Sequence, residues 1–254
     1  MKINCRHMLA LLLATGMLGQ PSVSKAAEIR VFCSNGIRAV MQEVVPQFEK
    51  ATKHTVIVTY GLSAVLKRQI DAGEAYDVAV LTPGLIDDLI KQGKIAGNTR
   101  TSIARSGMAL AIGVGVTRPD IRTTEALKRT LLASNSITYA QEGASSGFFN
   151  ELVHKLALAD ALKSKIKLTT TGAEAGALVA GGEADLAVLP VSEILPIRGV
   201  EVLGTFPPEV QGYIVMVAGV NAGIKGNDAP TEFIKFLTAP ATLPVLRKKG
   251  MDRE

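Results

Sequence analysis

Cysteine and histidine are scarce in this chain, and their scarcity removes whole classes of chemistry. There are two cysteines, Cys5 and Cys33, and three histidines, His7, His54 and His154. Histidines this far apart in sequence do not read as a metal cluster, so no metal and no cofactor is expected. No HExxH, CxxC, GxSxG or phosphate-loop signature is present, which disfavours zinc proteases, thiol oxidoreductases, serine hydrolases and nucleotide hydrolases. The longest apolar run, around Met8–Leu18, is shorter than the ~20 residues needed to span a bilayer. No solenoid-period repeat, low-complexity tract or Pro/Ser-rich linker divides the chain.

That apolar run belongs to an N-terminal secretion signal. Lys2 and Arg6 supply the positive start and Ser24-Lys25-Ala26 a small-residue cleavage site, so residues 1–26 are expected to be removed. No cysteine follows the cut to carry a lipid anchor. The expected product is soluble and periplasmic. Cleavage also takes Cys5, leaving Cys33 alone with no internal disulfide. A thiol nucleophile at Cys33 is conceivable, but a small buried residue at a strand end is the plainer reading. Three of the 28 basic residues lie in segment 1–26 with no acid, leaving 25 against 23 acidic. Near balance gives no case for nucleic acid.

What the sequence does contain is a repeated pattern of strand, small polar loop and helix. Ile29–Cys33 reads as a strand, Ser34-Asn35-Gly36 breaks it, and Ile37, Val40, Met41, Val44, Val45 and Phe48 recur at helical spacing. His54–Tyr60 is β-branched, Gly61-Leu62-Ser63 interrupts it, and Ala64–Ala72 reads as a helix. Tyr76–Leu81 is a buried strand, with Pro83 opening the helix that follows. Such loops aim free backbone N–H groups and side-chain donors at one point, which favours negative charge there. An ordinary helix cap is the bland alternative at any single loop.

The pattern then repeats. Met108–Val116 reads as a strand preceded by the loop Arg105-Ser106-Gly107. Helix Thr123–Leu132, strand Ser136–Ala140 and the loop Gln141–Asn150 follow, the loop feeding a helix through Leu152 and Leu156. Ile166–Thr169, the helix Ala173–Ala180 and the strand Asp185–Leu189 complete this run. Val200–Leu203 and Gly212–Ala218 are strand-like, and Ala229–Leu237 and Pro240–Lys249 helical. Successive strand–helix units predict mostly parallel α/β sheets. The break in pattern predicts lobe 1 at 27–106 and 205–254, with lobe 2 at 107–204.

On these loops, and on Leu66–Ile70, Tyr76–Val80, Ala180–Ala187 and Phe233–Thr238, the mature chain resembles the periplasmic solute-binding proteins of ABC transporters, closest to the molybdate-binding group. The resemblance implies a two-lobed type II binding fold with the ligand in the inter-lobe cleft. It also implies a small anion as ligand, a permease as possible partner, no membrane anchor and a monomer. The second loop carries Gly61-Leu62-Ser63 where molybdate binders usually have a Ser-Ser pair. Arg105-Ser106-Gly107, Gly143–Gly147 and Val191–Pro196 instead resemble aconitate isomerase, a secreted enzyme on the same scaffold.

Two functions stand side by side. A binding protein would hold its anion through Ser34, Asn35, Gly36, Ser63, Ser145, Ser146 and Thr171, with Arg105 meeting a carboxylate. Arg38 and Arg68 read more plainly as solvated helix-face charges. An isomerase shifting the double bond of trans-aconitate needs a base at an activated C–H, a proton donor and cations for three carboxylates. Glu142, beside Ser145-Ser146, is the first candidate base, with Glu174 and Glu193 as alternatives. His154 lies mid-helix and reads as a surface or packing residue.

Overall fold

The computed structural model describes residues 26–254, so the expected secretion signal lies outside the described residues apart from Ala26. The strands are β1 (Glu28–Ser34), β2 (Thr55–Gly61), β3 (Val78–Leu81), β4 (Thr101–Gly113), β5 (Ile137–Ala140), β6 (Ile166–Thr169), β7 (Leu186–Pro190), β8 (Val200–Thr205) and β9 (Tyr213–Val220). The helices are α1 (Arg38–Thr52), α2 (Ser63–Asp71), α3 (Pro83–Lys91), α4 (Thr124–Ala133), α5 (Ala144–Lys155), α6 (Ala159–Leu162), α7 (Gly172–Ala180), α8 (Val191–Ile194), α9 (Ala229–Thr238) and α10 (Leu243–Lys248).

Strand periodicity builds two cores on opposite faces of the first sheet. Val31, Cys33, Val78 and Val80 face α1, α9 and α10, where Phe48 packs edge-on against Phe233 and Phe236. Phe32, Ala79 and Leu81 face the other way, against Leu66 and Ile70 of α2 and Ile86 and Leu89 of α3. Strands buried on both faces have no polar side, which is why they read as continuous apolar runs. The second sheet repeats the arrangement. Leu110, Ile112, Leu186 and Val188 meet α4 and α5 on one face. Ala109, Ala111 and Ala187 meet α7 on the other, their small side chains suiting a close helix.

β4 joins the two. Its first half, Thr101–Gly107, pairs antiparallel with β9, and its second half, Met108–Gly113, pairs with β7 and β8. The order is β2-β1-β3-β9-β4-β7-β5-β6, with β8 also on β4. The pairings among β1, β2 and β3 and among β5, β6 and β7 are parallel, while every pairing of β4 and β9 is antiparallel. The expected strand from Met108 therefore starts at Thr101, and Arg105-Ser106-Gly107 lies inside it. Polar residues on that half obscured an apolar pattern. The chain returns between the lobes beside this crossing, where Met108 N donates to Gly212 O at 2.8 Å and Gln211 Nε2 to Met108 O at 3.1 Å.

A buried hydroxyl chain ties this crossing to the first polar loop. Ser106 Oγ donates to Gly250 O at 2.8 Å and accepts from Ser192 N at 3.1 Å, while Ser192 Oγ donates to Gly36 O at 2.8 Å. Ser192→Ala leaves the buried Gly36 carbonyl without that donor, at an expected cost of about 1–2 kcal/mol. Urea unfolding should show a lower midpoint at unchanged slope.

Candidate functional site

The parallel strands deliver their carboxyl ends to one place, the position where α/β sheets collect ligands. β1 ends at Ser34. β2, β3, β5 and β6 turn directly into α2, α3, α5 and α7. Between them lies a cavity of about 240 Å³ lined by Ser34 and Ser63 of the first lobe, Ser145, Gly172 and Glu193 of the second, and Ile214 of β9. Helices α2, α3 and α5 start without a side-chain cap, at Leu62, Thr82 and Gly143. Their first-turn N–H groups and dipole ends are thus left for an anion. Ser63 Oγ is buried with no hydrogen-bond partner. Ser34 and Ser145 are buried too. Ser34 Oγ accepts weakly from Gly36 N at 3.4 Å, which leaves its own proton to give.

Two acidic groups reach this electropositive setting, and one of them is buried. Glu193, on α8, lines the serine cavity and also a second chamber of about 520 Å³, which contains Asn35, Arg38, Tyr60 and Thr171. Burial pushes its carboxyl up to about 7, against a smaller opposing pull from Arg38. Its Oε2 lies against Gly172, where a Cβ would come to 2.2 Å. Glycine at the start of α7 is what makes room for the carboxyl. A third space of about 620 Å³, with Arg68, Glu142 and Thr170, opens outward. Leu62 borders all three.

A model of the bacterial extracellular solute-binding protein family matches residues 29–252. The chain belongs to this family. It is 25% identical to aconitate isomerase from Pseudomonas sp, over 95% of this chain and 93% of that one. It is also 25% identical to molybdate-binding protein ModA from Azotobacter vinelandii, over 95% of this chain and 96% of that one. The solved periplasmic molybdate-binding protein of Azotobacter vinelandii superposes with a TM-score of 0.74 at 20% identity, covering 88% of this chain and 98% of that one. The two-lobed binding fold is therefore the fold of this chain. No helix among the described residues is long and apolar enough to cross a membrane.

The two relatives carry different names, one an isomerase and one a molybdate-binding protein, so the placement of each expected residue matters. Ser34, Ser63 and Ser145 meet in the serine cavity, and Asn35 in the neighbouring chamber, where its Oδ1 is buried without a partner. Gly36 lies beneath, its N–H on Ser34 and its carbonyl on Ser192. Thr171 lines the second chamber, and its hydroxyl accepts from Glu174 N at 3.2 Å as the α7 cap. Ser146 faces away and accepts from Asn150 Nδ2 at 3.4 Å. Arg105 is outside all three spaces, stacked 4.8 Å from the Tyr213 ring centroid, because strand pairing turns it outward.

The acids separate in the same way. Glu142 reaches the cavity, but its side chain is 52% exposed and bonded to Arg68 at 2.7 Å across the mouth. Glu174 closes a capping box, accepting from Thr170 N at 2.9 Å. Cys33 is packed in the first core and burial raises its thiol, which leaves it a packing residue. Glu193, only an alternative in the sequence, is the acid that the fold places inside. Gly172 and Tyr60 were missed. The Thr171-x-x-Glu174 capping signature marks Gly172 as the first helical residue, and Tyr60 ends its strand beside the second polar loop.

Glu193 makes stability depend on pH. Its folded value lies above the ordinary carboxyl value, so the folded chain holds a proton that the unfolded chain has lost. The native state is accordingly favoured at pH 4–5 and loses that advantage as pH rises through about 7. Glu193→Gln should raise the melting temperature at pH 8, by at most about 3 kcal/mol of stability, and leave it nearly unchanged at pH 4.5. Thermal scans of both proteins at the two pH values measure this.

Proposed function

We propose that this protein captures a small organic anion in its inter-lobe cleft, as the periplasmic binding component that delivers it to an ABC permease. One observation carries the reading: three uncapped helix N-termini converge on a cavity where Ser63 Oγ is buried without a partner. Buried polar groups are ordinarily paired, so donors left open around a cavity support a ligand that completes them. The adjoining chambers of about 520 and 620 Å³ favour an organic anion over a bare tetrahedral oxyanion. The closing bodies are lobe 1, up to the crossing in β4 and again from the return strand, and lobe 2 between. Phe206 and Val210 pack in the second core, which favours a return after Val210 over the expected one at 205. Titration calorimetry with molybdate, sulfate, di- and tricarboxylates tests the reading. A carboxylate should bind best, and Ser63→Ala with Ser145→Ala should weaken it about tenfold or more. A molybdate preference would return the site to an inorganic oxyanion.

A second reading, aconitate isomerisation, is favoured by Glu193 and by the relative of that name. A carboxyl with a value near 7 is suited to accept and return a proton at neutral pH. Glu193 would take a proton from the methylene carbon of trans-aconitate. The C–H electron pair forms the new C=C to the central carbon, and the former alkene carbon receives the proton back. One C–H bond breaks and one forms, with no redox change. Conversion of trans- to cis-aconitate by the wild type, at least 100-fold slower in Glu193→Gln with tricarboxylate binding retained, would make the protein an enzyme. No conversion by the wild type would leave it a binding protein.

A further inference from the structure

We infer that the chamber built on Arg38 and Tyr60 is a second anion subsite, taking the distal carboxylate of a ligand whose first carboxylate occupies the serine cavity. The ligand class is then an extended di- or tricarboxylate, and the inference rests on the anion-binding reading above.

Arg38 is the first residue of α1, a position where the helix dipole disfavours a cation. Its guanidinium makes no ion pair or hydrogen bond among the described residues, whereas Arg30, Arg68, Arg100 and Arg118 all pair with acids. Arg38 is exposed on its helix face, but its guanidinium lies over the Tyr60 ring, 4.6 Å from its centroid, along the wall of the chamber. Stacking fixes the plane of the guanidinium and leaves its N–H edge free, the geometry that grips a carboxylate through two bonds.

Tyr60 adds a neutral donor. Burial pushes its hydroxyl up to about 12, so it keeps its proton at any physiological pH, and no acceptor among the described residues takes it. Thr170 and Thr171 face these groups from the other lobe. Closure of the cleft therefore surrounds a carboxylate from both sides. The chamber and the serine cavity share two walls, Leu62 and Glu193. A ligand occupying both spaces lays its carbon skeleton over Leu62 and beside the Glu193 carboxyl. A single tetrahedral oxyanion fills one space and leaves Arg38 unmatched.

Calorimetry with propane-1,2,3-tricarboxylate and with propionate separates the two subsites. Arg38→Gln should weaken the tricarboxylate 10- to 100-fold, the range for a lost charge-assisted pair, and propionate less than threefold. Tyr60→Phe keeps the ring beneath Arg38 and should cost the tricarboxylate three- to tenfold. An unchanged melting temperature of both unliganded variants excludes misfolding as the cause. If both variants bind the tricarboxylate within twofold of wild type while Ser63→Ala weakens it, the second subsite is refuted and the anion-binding reading stands. Equal losses for propionate and tricarboxylate would also refute it, making Arg38 a general charge. If no carboxylate binds the wild type, the anion-binding reading fails and the subsite with it.

Discussion

Two hydrophobic cores share one continuous strand, and the rest of the molecule is arranged around that sharing. β4 contributes Ile103 and Ala104 to the first lobe and Met108, Leu110 and Ile112 to the second. Both lobes are fixed to the same backbone, so on the proposed division relative motion would bend the chain near Gly107–Met108 and at the return through Gln211–Gly212. Hinges of this kind concentrate the dihedral change in a few residues while the packed bodies stay rigid. The Ser106–Ser192–Gly36 hydroxyl chain runs from this crossing to the first polar loop. Ser34 and Asn35 thus stand next to a loop that is hydrogen-bonded to the crossing.

The electrostatics of the cleft are set by a contest between dipoles and desolvation. Uncapped helix starts and Arg38 should pull a nearby carboxyl below its ordinary value. Glu193 moves the other way, which means that removal from water outweighs the surrounding positive potential. The consequence is a wall that donates a hydrogen bond when protonated and repels an anion when it is not. Such a wall discriminates among ligands more sharply than serines alone, because its protonation state must match the charge presented to it.

Much of this was legible in the sequence for physical reasons. Strands buried on both faces appear as short apolar runs, so β1, β3 and β7 were evident, and the small polar loops after them marked the cavity. Ser34, Ser63 and Ser145 were singled out because each sits where a strand turns into a helix, and the fold brings all three to one cavity. Arg105 and Ser146 were placed in the cleft on proximity alone. The antiparallel pairing that extends β4 back to Thr101 makes Arg105 a strand residue, and helix phase turns Ser146 toward Asn150. Glu142 and Glu193 flank equally suggestive loops. Only the packing of α8 against Gly36 and Gly172 reveals which of them is removed from water. Burial of a charged group is a tertiary property that periodicity does not encode.

Closure of the cleft needs an energetic source, and the contact across its mouth is too weak to provide one. Arg68 and Glu142 form an ion pair at 2.7 Å, but their side chains are 60% and 52% exposed. Pairs so well solvated contribute about 0–1 kcal/mol. A ligand shifts open and closed arrangements only by its difference in affinity for the two. In the proposed site, groups that meet a ligand solely when the lobes approach would supply that difference: Ser63 and Arg38 from one side, Ser145 and Thr171 from the other. A ligand touching one lobe alone would bind without closing the protein. Reach across the cleft is thus a selection criterion in its own right, and it favours a molecule with anionic groups at more than one end.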